Sequence, residues 1–179
     1  MKKNWVALFS HTGSEIAHIS HRLKRWPDTI ITNQSPATKQ ITPKIKSGKI
    51  NFCKSTPSVQ DYRSLLEGAD IVTLHGWMRI IPGEICKEYN ILNLHPGLIT
   101  KYPELKGKDP QRRVFENITK TYDWVGCVLH KAIAEVDAGD ILMTTSTRNN
   151  FSGVDDLTSK LHEMASGMWI DFLKMEGVK

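Results

Sequence analysis

Asn93-Leu94-His95-Pro96-Gly97 carries the strongest chemical signal in this 179-residue sequence. In an extended segment, residues two apart share a face, so Asn93 and His95 point together, and Pro96 fixes the exit of the chain. A carboxamide beside an imidazole can donate hydrogen bonds to a developing negative charge, while the imidazole also moves protons. Taken alone, the pair reads more readily as two side chains that satisfy loop carbonyls. Val136-Asp137-Ala138-Gly139-Asp140 adds a carboxylate in a glycine-containing turn. Brought beside His95, Asp137 would favour the imidazolium and complete an acid–base unit. By itself, Asp near Gly is ordinary turn chemistry, so its weight comes from the pairing.

These residues need elements to hold them. Trp5–Ser10 is a continuous apolar run of the kind found in a strand buried on both faces. After Gly13, residues Ile16, Ile19, Leu23 and Trp26 recur at helical spacing until Pro27, and Thr12 with Glu15 has the form of a capping box. Strands are expected at Thr29–Thr32, Ile50–Cys53, Asp70–Leu74 and Ile91–His95, with short helices around Tyr62–Leu66 and Pro82–Glu88. The Ser-, Thr- and Pro-rich stretch Asn33–Gly48 reads as a surface loop. Further on, Pro110–Asn117 is helical in pattern and Val125–Ile133 and Asp140–Thr147 are strand-like. Leu157–Leu173 is an amphipathic helix. The βαβ rhythm predicts an α/β fold in one domain, with a mostly parallel, doubly wound sheet. Ligands of such sheets sit outside the carboxyl ends of the strands, which selects Ser10–Glu15, His75–Ile81 and Asn93–Tyr102.

Composition narrows the classes. A formal charge of +5 is spread over short basic clusters interleaved with acids, the pattern of a solvated face rather than of a nucleic-acid groove. Three well-separated cysteines, Cys53, Cys86 and Cys127, oppose a disulfide framework and read as buried small apolar residues of a reducing compartment. No apolar run reaches the roughly 20 residues of a membrane span, and a cytoplasmic location is expected. His18 and His21 with His11 could hold a divalent ion, but no carboxylate or Cys pattern completes a site, and an exposed polar face is the expectation.

Three blocks, Ala69–Pro82, Ile91–Ile99 and Glu135–Leu142, together resemble the folate-dependent formyltransferases in content and order. The resemblance runs from about Trp5 to Leu173 and implies a Rossmann-like formyltransferase fold. It further implies transfer of a formyl group from 10-formyltetrahydrofolate to a primary amine without a metal. On that resemblance Asn93 and protonated His95 hold the tetrahedral oxyanion, and Asp137 orients His95 and relays the amine's proton. His130 stands where purine-pathway members have a histidine near the reacting centre, and on sequence it fits a histidine at the sheet edge equally well. Met78, Arg79, Ile80 and Ile81 match the segment lining the pterin pocket, with Val136, Ala138, Gly139 and Asp140 as its other wall.

The acceptor is less closely defined. His11, Thr12, Gly13, Ser14 and Glu15 occupy the place of the phosphate-binding loop of phosphoribosylglycinamide formyltransferases, which implies 5′-phosphoribosylglycinamide as acceptor. Glu15 departs from that pattern, since a carboxylate repels a phosphate unless it turns away to cap the helix. Lys106–Pro110 leans instead toward methionyl-tRNA and nucleotide-sugar formyltransferases, which keeps a nucleotide-linked amino sugar or modified nucleotide open as acceptor. The length leaves no room for the extra C-terminal domain of the tRNA-formylating enzymes, so a small-molecule amine is expected. Two further alternatives are a 10-formyltetrahydrofolate hydrolase, whose relatives carry an additional N-terminal domain, and a folate- or nucleotide-binding module without turnover.

Overall fold

Trp5–Phe9 forms β1, and every residue in it is buried. Its odd residues Trp5, Ala7 and Phe9 enter one core layer, while Val6 and Leu8 enter the layer on the opposite face. A central strand covered on both sides is therefore apolar at every position rather than at alternate ones. The computed structural model describes residues 2–45 and 50–178. The remaining strands are β2 (Thr29–Thr32), β3 (Ile50–Phe52), β4 (Ile71–His75), β5 (Ile91–His95), β6 (Trp124–Lys131) and β7 (Ile141–Arg148). The helices are α1 (Ser14–Leu23), α2 (Val59–Leu65), α3 (Gly83–Glu88), α4 (Pro110–Glu116) and α5 (Val154–Met175).

One seven-stranded sheet runs in the order β3-β2-β1-β4-β5-β6-β7. The first five strands are parallel, and β6 lies antiparallel to both β5 and β7. Helices α1 and α5 cover one face through Ile16, Ile19, Leu161 and Trp169, and α2 and α3 cover the other through Tyr62 and Ile85. The order reverses between β1 and β4, so the crevice outside their carboxyl ends is the expected ligand position. There the Met78 amide donates to Ser10 Oγ at 2.9 Å, tying the loop after β4 to the loop after β1.

The β5–β6 register sets Asn93 opposite His130. On the other side of β6 the pairing slips between Leu129 and His130, leaving Leu142 as an extra residue in β7. Such a bulge bends the strand locally and re-aims the adjoining turn. Between α4 and β6 the chain crosses the surface through a connector in which Ile118 is 97% exposed.

Three expectations are corrected. First, α1 stops at Leu23, with Lys24 in the left-handed region at φ 55°, ahead of Pro27. Second, the Thr12–Glu15 capping box does not form. Gly13 caps α1 without a side-chain bond, and Thr12 Oγ1 accepts from the Ser14 amide at 3.2 Å while Glu15 turns elsewhere. Third, only Cys127 is fully buried, where desolvation pushes its thiol up to about 12; Cys53 and Cys86 are half-buried. The expected loop 33–48 is irregular through residue 45, and its remainder lies outside the described residues.

Candidate functional site

Asn93 and His95 reach the site from the end of β5, as strand alternation requires, and His130 reaches it from β6. The turn after β6 brings in Asp137, which adopts a left-handed backbone at φ 51°. Asp137 Oδ2 lies 3.1 Å from His95 Nδ1, and its Oδ1 lies 3.3 Å from His130 Nε2. The Gly107 amide donates to Oδ2 at 2.8 Å, and Asn93 Nδ2 donates to Oδ1 at 3.3 Å. Asn93 Nδ2 is also 3.3 Å from His130 Nε2. The four residues singled out for chemistry thus form one contiguous cluster.

Each ring has a second anchor. His95 Nε2 contacts the Leu105 carbonyl at 2.8 Å, and His130 Nδ1 contacts the Lys131 carbonyl at 2.9 Å. Both nitrogens of His95 therefore face acceptors, a demand that a doubly protonated ring meets. Burial by itself raises the Asp137 carboxyl. Hydrogen bonds from His130 and His95, the charge on His95 and the Gly107 amide outweigh it and hold the group well below the usual carboxylate range. A carboxylate kept ionised in a buried site fixes the orientation of an imidazolium beside it.

Gly97 permits this packing. A Cβ there would lie 2.7 Å from His95 Nε2 and 3.0 Å from Pro110 Cβ, closer than carbon and nitrogen can sit. The 3₁₀ turn Pro103–Leu105 and the segment after it supply the Leu105 carbonyl and the Gly107 amide. The sequence does not reveal the contribution of this segment, because the contacts are backbone groups that leave no residue-type signature.

The cluster lies on the wall of a cleft of about 530 Å³. Met78, Arg79, Ile80, Ile81 and Val136 line it, together with Trp77 of the selected segment His75–Ile81, Glu135, and Ile133, which sequence reasoning does not select. Ile80 is 73% exposed and Val136 is 50% exposed, so the cleft offers an apolar surface to a flat ring without ordering a core. Arg79 is pinned to the loops, its Nε donating to the Ser55 carbonyl at 2.6 Å and its Nη1 to the Met78 carbonyl at 2.8 Å. Ala138, Gly139 and Asp140 do not line the cleft. The chain has already turned toward β7 there, with the Asp140 carbonyl accepting from the Lys131 amide at 3.0 Å.

His11, Thr12, Gly13, Ser14 and Glu15 border a second cavity of about 260 Å³. It shares Gly76, Leu94, Pro96 and Gln111 with the larger cleft, so the two adjoin beside Asn93 and His95. Gly13 is required by its conformation, at φ 67°, and by the Ile45 side chain, which a Cβ would meet at 2.2 Å. Glu15 Oε2 pairs with His75 Nδ1 at 2.7 Å. Thr158 and His162 of α5 complete the lining. The apolar stripe of that helix dominates its sequence pattern and hides them, although their i, i+4 spacing places them together. Among the described residues no three His, Cys, Asp or Glu side chains are arranged for a metal ion, and no helix is long and apolar enough to cross a membrane. His18 and His21 are exposed on α1.

Comparison with known proteins places this geometry in context. A model of the formyl transferase family matches residues 29–171. The phosphoribosylglycinamide formyltransferase of Dictyostelium discoideum is 33% identical over 110 residues, which are 56% of this chain and 52% of that protein. A methionyl-tRNA formyltransferase of Helicobacter pylori is 30% identical over 119 residues, 66% of this chain and 37% of its own. The chain thus spans about half or less of the curated relatives named here. The solved phosphoribosylglycinamide formyltransferase from Anaplasma phagocytophilum superposes with a TM-score of 0.79 at 21% identity, covering 97% of this chain and 86% of that one. A formyltetrahydrofolate deformylase from Pseudomonas syringae shares the fold at a TM-score of 0.74 and 18% identity, with 93% and 58% covered.

Proposed function

Since residues 29–171 match its model, the chain belongs to the formyl transferase family, and from that premise we propose that it transfers the formyl group of 10-formyltetrahydrofolate to a primary amine, 5′-phosphoribosylglycinamide. The observation that carries this reading is the cluster of Asn93, His95, His130 and Asp137 at the junction of two adjoining cavities. One cavity presents the exposed apolar side chains of Met78, Ile80 and Val136 and suits the pterin, and the other adds the hydroxyls of Thr12, Ser14 and Thr158, the imidazoles of His11 and His162 and the Glu15 carboxylate to its apolar wall and suits a polar acceptor. The chain constitutes the formyl-transferring domain, and the acceptor assignment rests on its likeness to phosphoribosylglycinamide formyltransferases and on the loop of Gly13 and Ser14 beside the second cavity.

In this reading the amine nitrogen attacks the formyl carbon, and the carbonyl oxygen becomes the oxyanion of a tetrahedral intermediate. Asn93 Nδ2, held only by 3.3 Å contacts, donates to that oxygen, and the His95 ring joins it by turning its Nε2 from the Leu105 carbonyl, 2.8 Å away, to the oxyanion. Long contacts of this kind tighten onto the reacting atoms once substrates are bound. Asp137 keeps His95 oriented, and the proton lost by the amine passes through this pair to the departing tetrahydrofolate nitrogen. His130 supports Asp137 from the opposite side and is assigned a positioning role.

The decisive measurement is release of tetrahydrofolate from 10-formyltetrahydrofolate, with and without phosphoribosylglycinamide. Release that requires the amine, together with formylated product, supports the assignment. Release without any amine would establish hydrolysis instead, and tight folate binding without release would establish a binding module.

A further inference from the structure

Glu15 lies in the first turn of α1, yet its carboxylate turns to the end of β4, where Oε2 meets His75 Nδ1 at 2.7 Å. The His75 side chain is fully buried. Its Nε2 lies 2.8 Å from Thr73 Oγ1, which in turn accepts from Trp5 Nε1 at 2.9 Å. The Trp169 ring covers the imidazole at 5.0 Å. Because Oε2 is an acceptor, Nδ1 is the nitrogen that carries a proton, and a chain of three hydrogen bonds fixes Glu15 from behind.

The front of the carboxylate is different. Oε1 has no hydrogen-bond partner among the described residues, and the Glu15 side chain keeps 17% of its surface exposed on the wall of the 260 Å³ cavity. A buried carboxylate–histidine pair adds little net stability over apolar packing. It does hold a polar atom in one place, which is what a binding site needs from the groups behind it. A fixed carboxylate oxygen accepts from hydroxyl or N–H groups, as the acidic residue of dinucleotide sites does from ribose, and it repels an anion.

We propose, on the reading that this cavity takes the acceptor, that Glu15 is a specificity-determining residue for a sugar-bearing amine and His75 is its positioning residue. Oε1 accepts from hydroxyl or N–H groups of the acceptor, so any phosphate on that molecule lies against another part of the cavity.

The test is steady-state kinetics with the acceptor varied at saturating 10-formyltetrahydrofolate. Glu15→Ala raises the acceptor KM about 10- to 100-fold, the loss expected for a hydrogen bond to a charged group. It leaves kcat within threefold and the KM for the formyl donor unchanged. Glu15→Gln, which keeps a carbonyl oxygen, recovers part of the loss. His75→Phe keeps the ring volume and raises the acceptor KM about 3- to 10-fold without changing the donor KM. An unchanged or lowered acceptor KM in Glu15→Ala overturns the proposal, and a lowered one identifies the carboxylate as merely a repulsive neighbour of the phosphate. Wild-type protein that forms no product from phosphoribosylglycinamide refutes the assigned acceptor, and calorimetric titration with ribose 5-phosphate then judges Glu15 separately. Binding at least tenfold weaker in Glu15→Ala than in wild type supports the proposal. Equal affinities, or no binding to wild type, overturn it.

Discussion

Replacing Asp137 with Asn removes one charge while preserving shape, and the structure fixes what that must cost. The carboxylate now accepts from His95 Nδ1, His130 Nε2, Asn93 Nδ2 and the Gly107 amide. An Asn side chain has one oxygen, which can keep the Gly107 amide and a single ring. Its NH₂ group is then forced against a second donor. The loss is one or two charge-assisted hydrogen bonds of about 1.5–3 kcal/mol each, so about 3 kcal/mol in total. At roughly 2–4 °C per kcal/mol for a domain of this size, Tm should fall by about 6–12 °C at neutral pH. Turnover should fall about 10²–10⁴-fold, because the His95 ring loses its counter-charge and the rest of the cluster loses the second carboxylate oxygen. The folded carboxyl is held below its ordinary value, so its stabilisation is complete above about pH 4 and disappears as pH falls below that. The Tm gap between variant and wild type should therefore be constant from about pH 5 to 7 and close under more acidic conditions. Scanning calorimetry and initial rates measured on the same samples test both halves. A variant with kcat within threefold of wild type refutes the catalytic role, and a Tm gap that persists unchanged at about pH 3 refutes the electrostatic account.

Two further substitutions probe the walls. Gly97→Ala puts a methyl group 2.7 Å from His95 Nε2, so the ring must shift; kcat should drop about 10- to 100-fold with a stability loss of about 1–3 kcal/mol, seen by parallel rate and thermal-melt assays. Ile80→Asn should raise the KM for the formyl donor about 5- to 30-fold and leave Tm within about 1 °C. The side chain is too exposed to support the core but contributes about 1–2 kcal/mol of apolar burial when a ring covers it.

Much of the frame is legible in the residues. The fully apolar run Trp5–Phe9 is legible as a central strand because burial on both faces leaves no polar position to confuse the pattern, and Ile71–Leu74, broken only by Thr73, reads the same way. Asn93, His95 and Asp137 are legible because their residue types and spacing announce a shared chemistry. What escapes the sequence is long-range or carried by the backbone. The Thr12–Glu15 spacing satisfies a local capping rule, but His75, sixty residues away, competes for Glu15 and wins. The Leu105 carbonyl and Gly107 amide hold the two charged partners of the cluster, and no side chain marks either one. Gly139 reads as a wall of the ligand pocket, yet its role is to let the chain pass over Lys131, whose carbonyl a Cβ would meet at 1.9 Å.

The exposed connector between α4 and β6 divides the chemistry in a way the folded shape conceals. Asn93 and His95 precede it in the chain, while His130 and Asp137 follow it. A cut beside Ile118 would leave two fragments, each with half of the cluster and neither able to form product. Their reunion depends on the β5–β6 ladder, which sets Asn93 opposite His130. Under the proposed activity, formyl transfer by the mixed fragments would report strand pairing directly, making the chain a reconstitution sensor whose output is zero until the two pieces find their register.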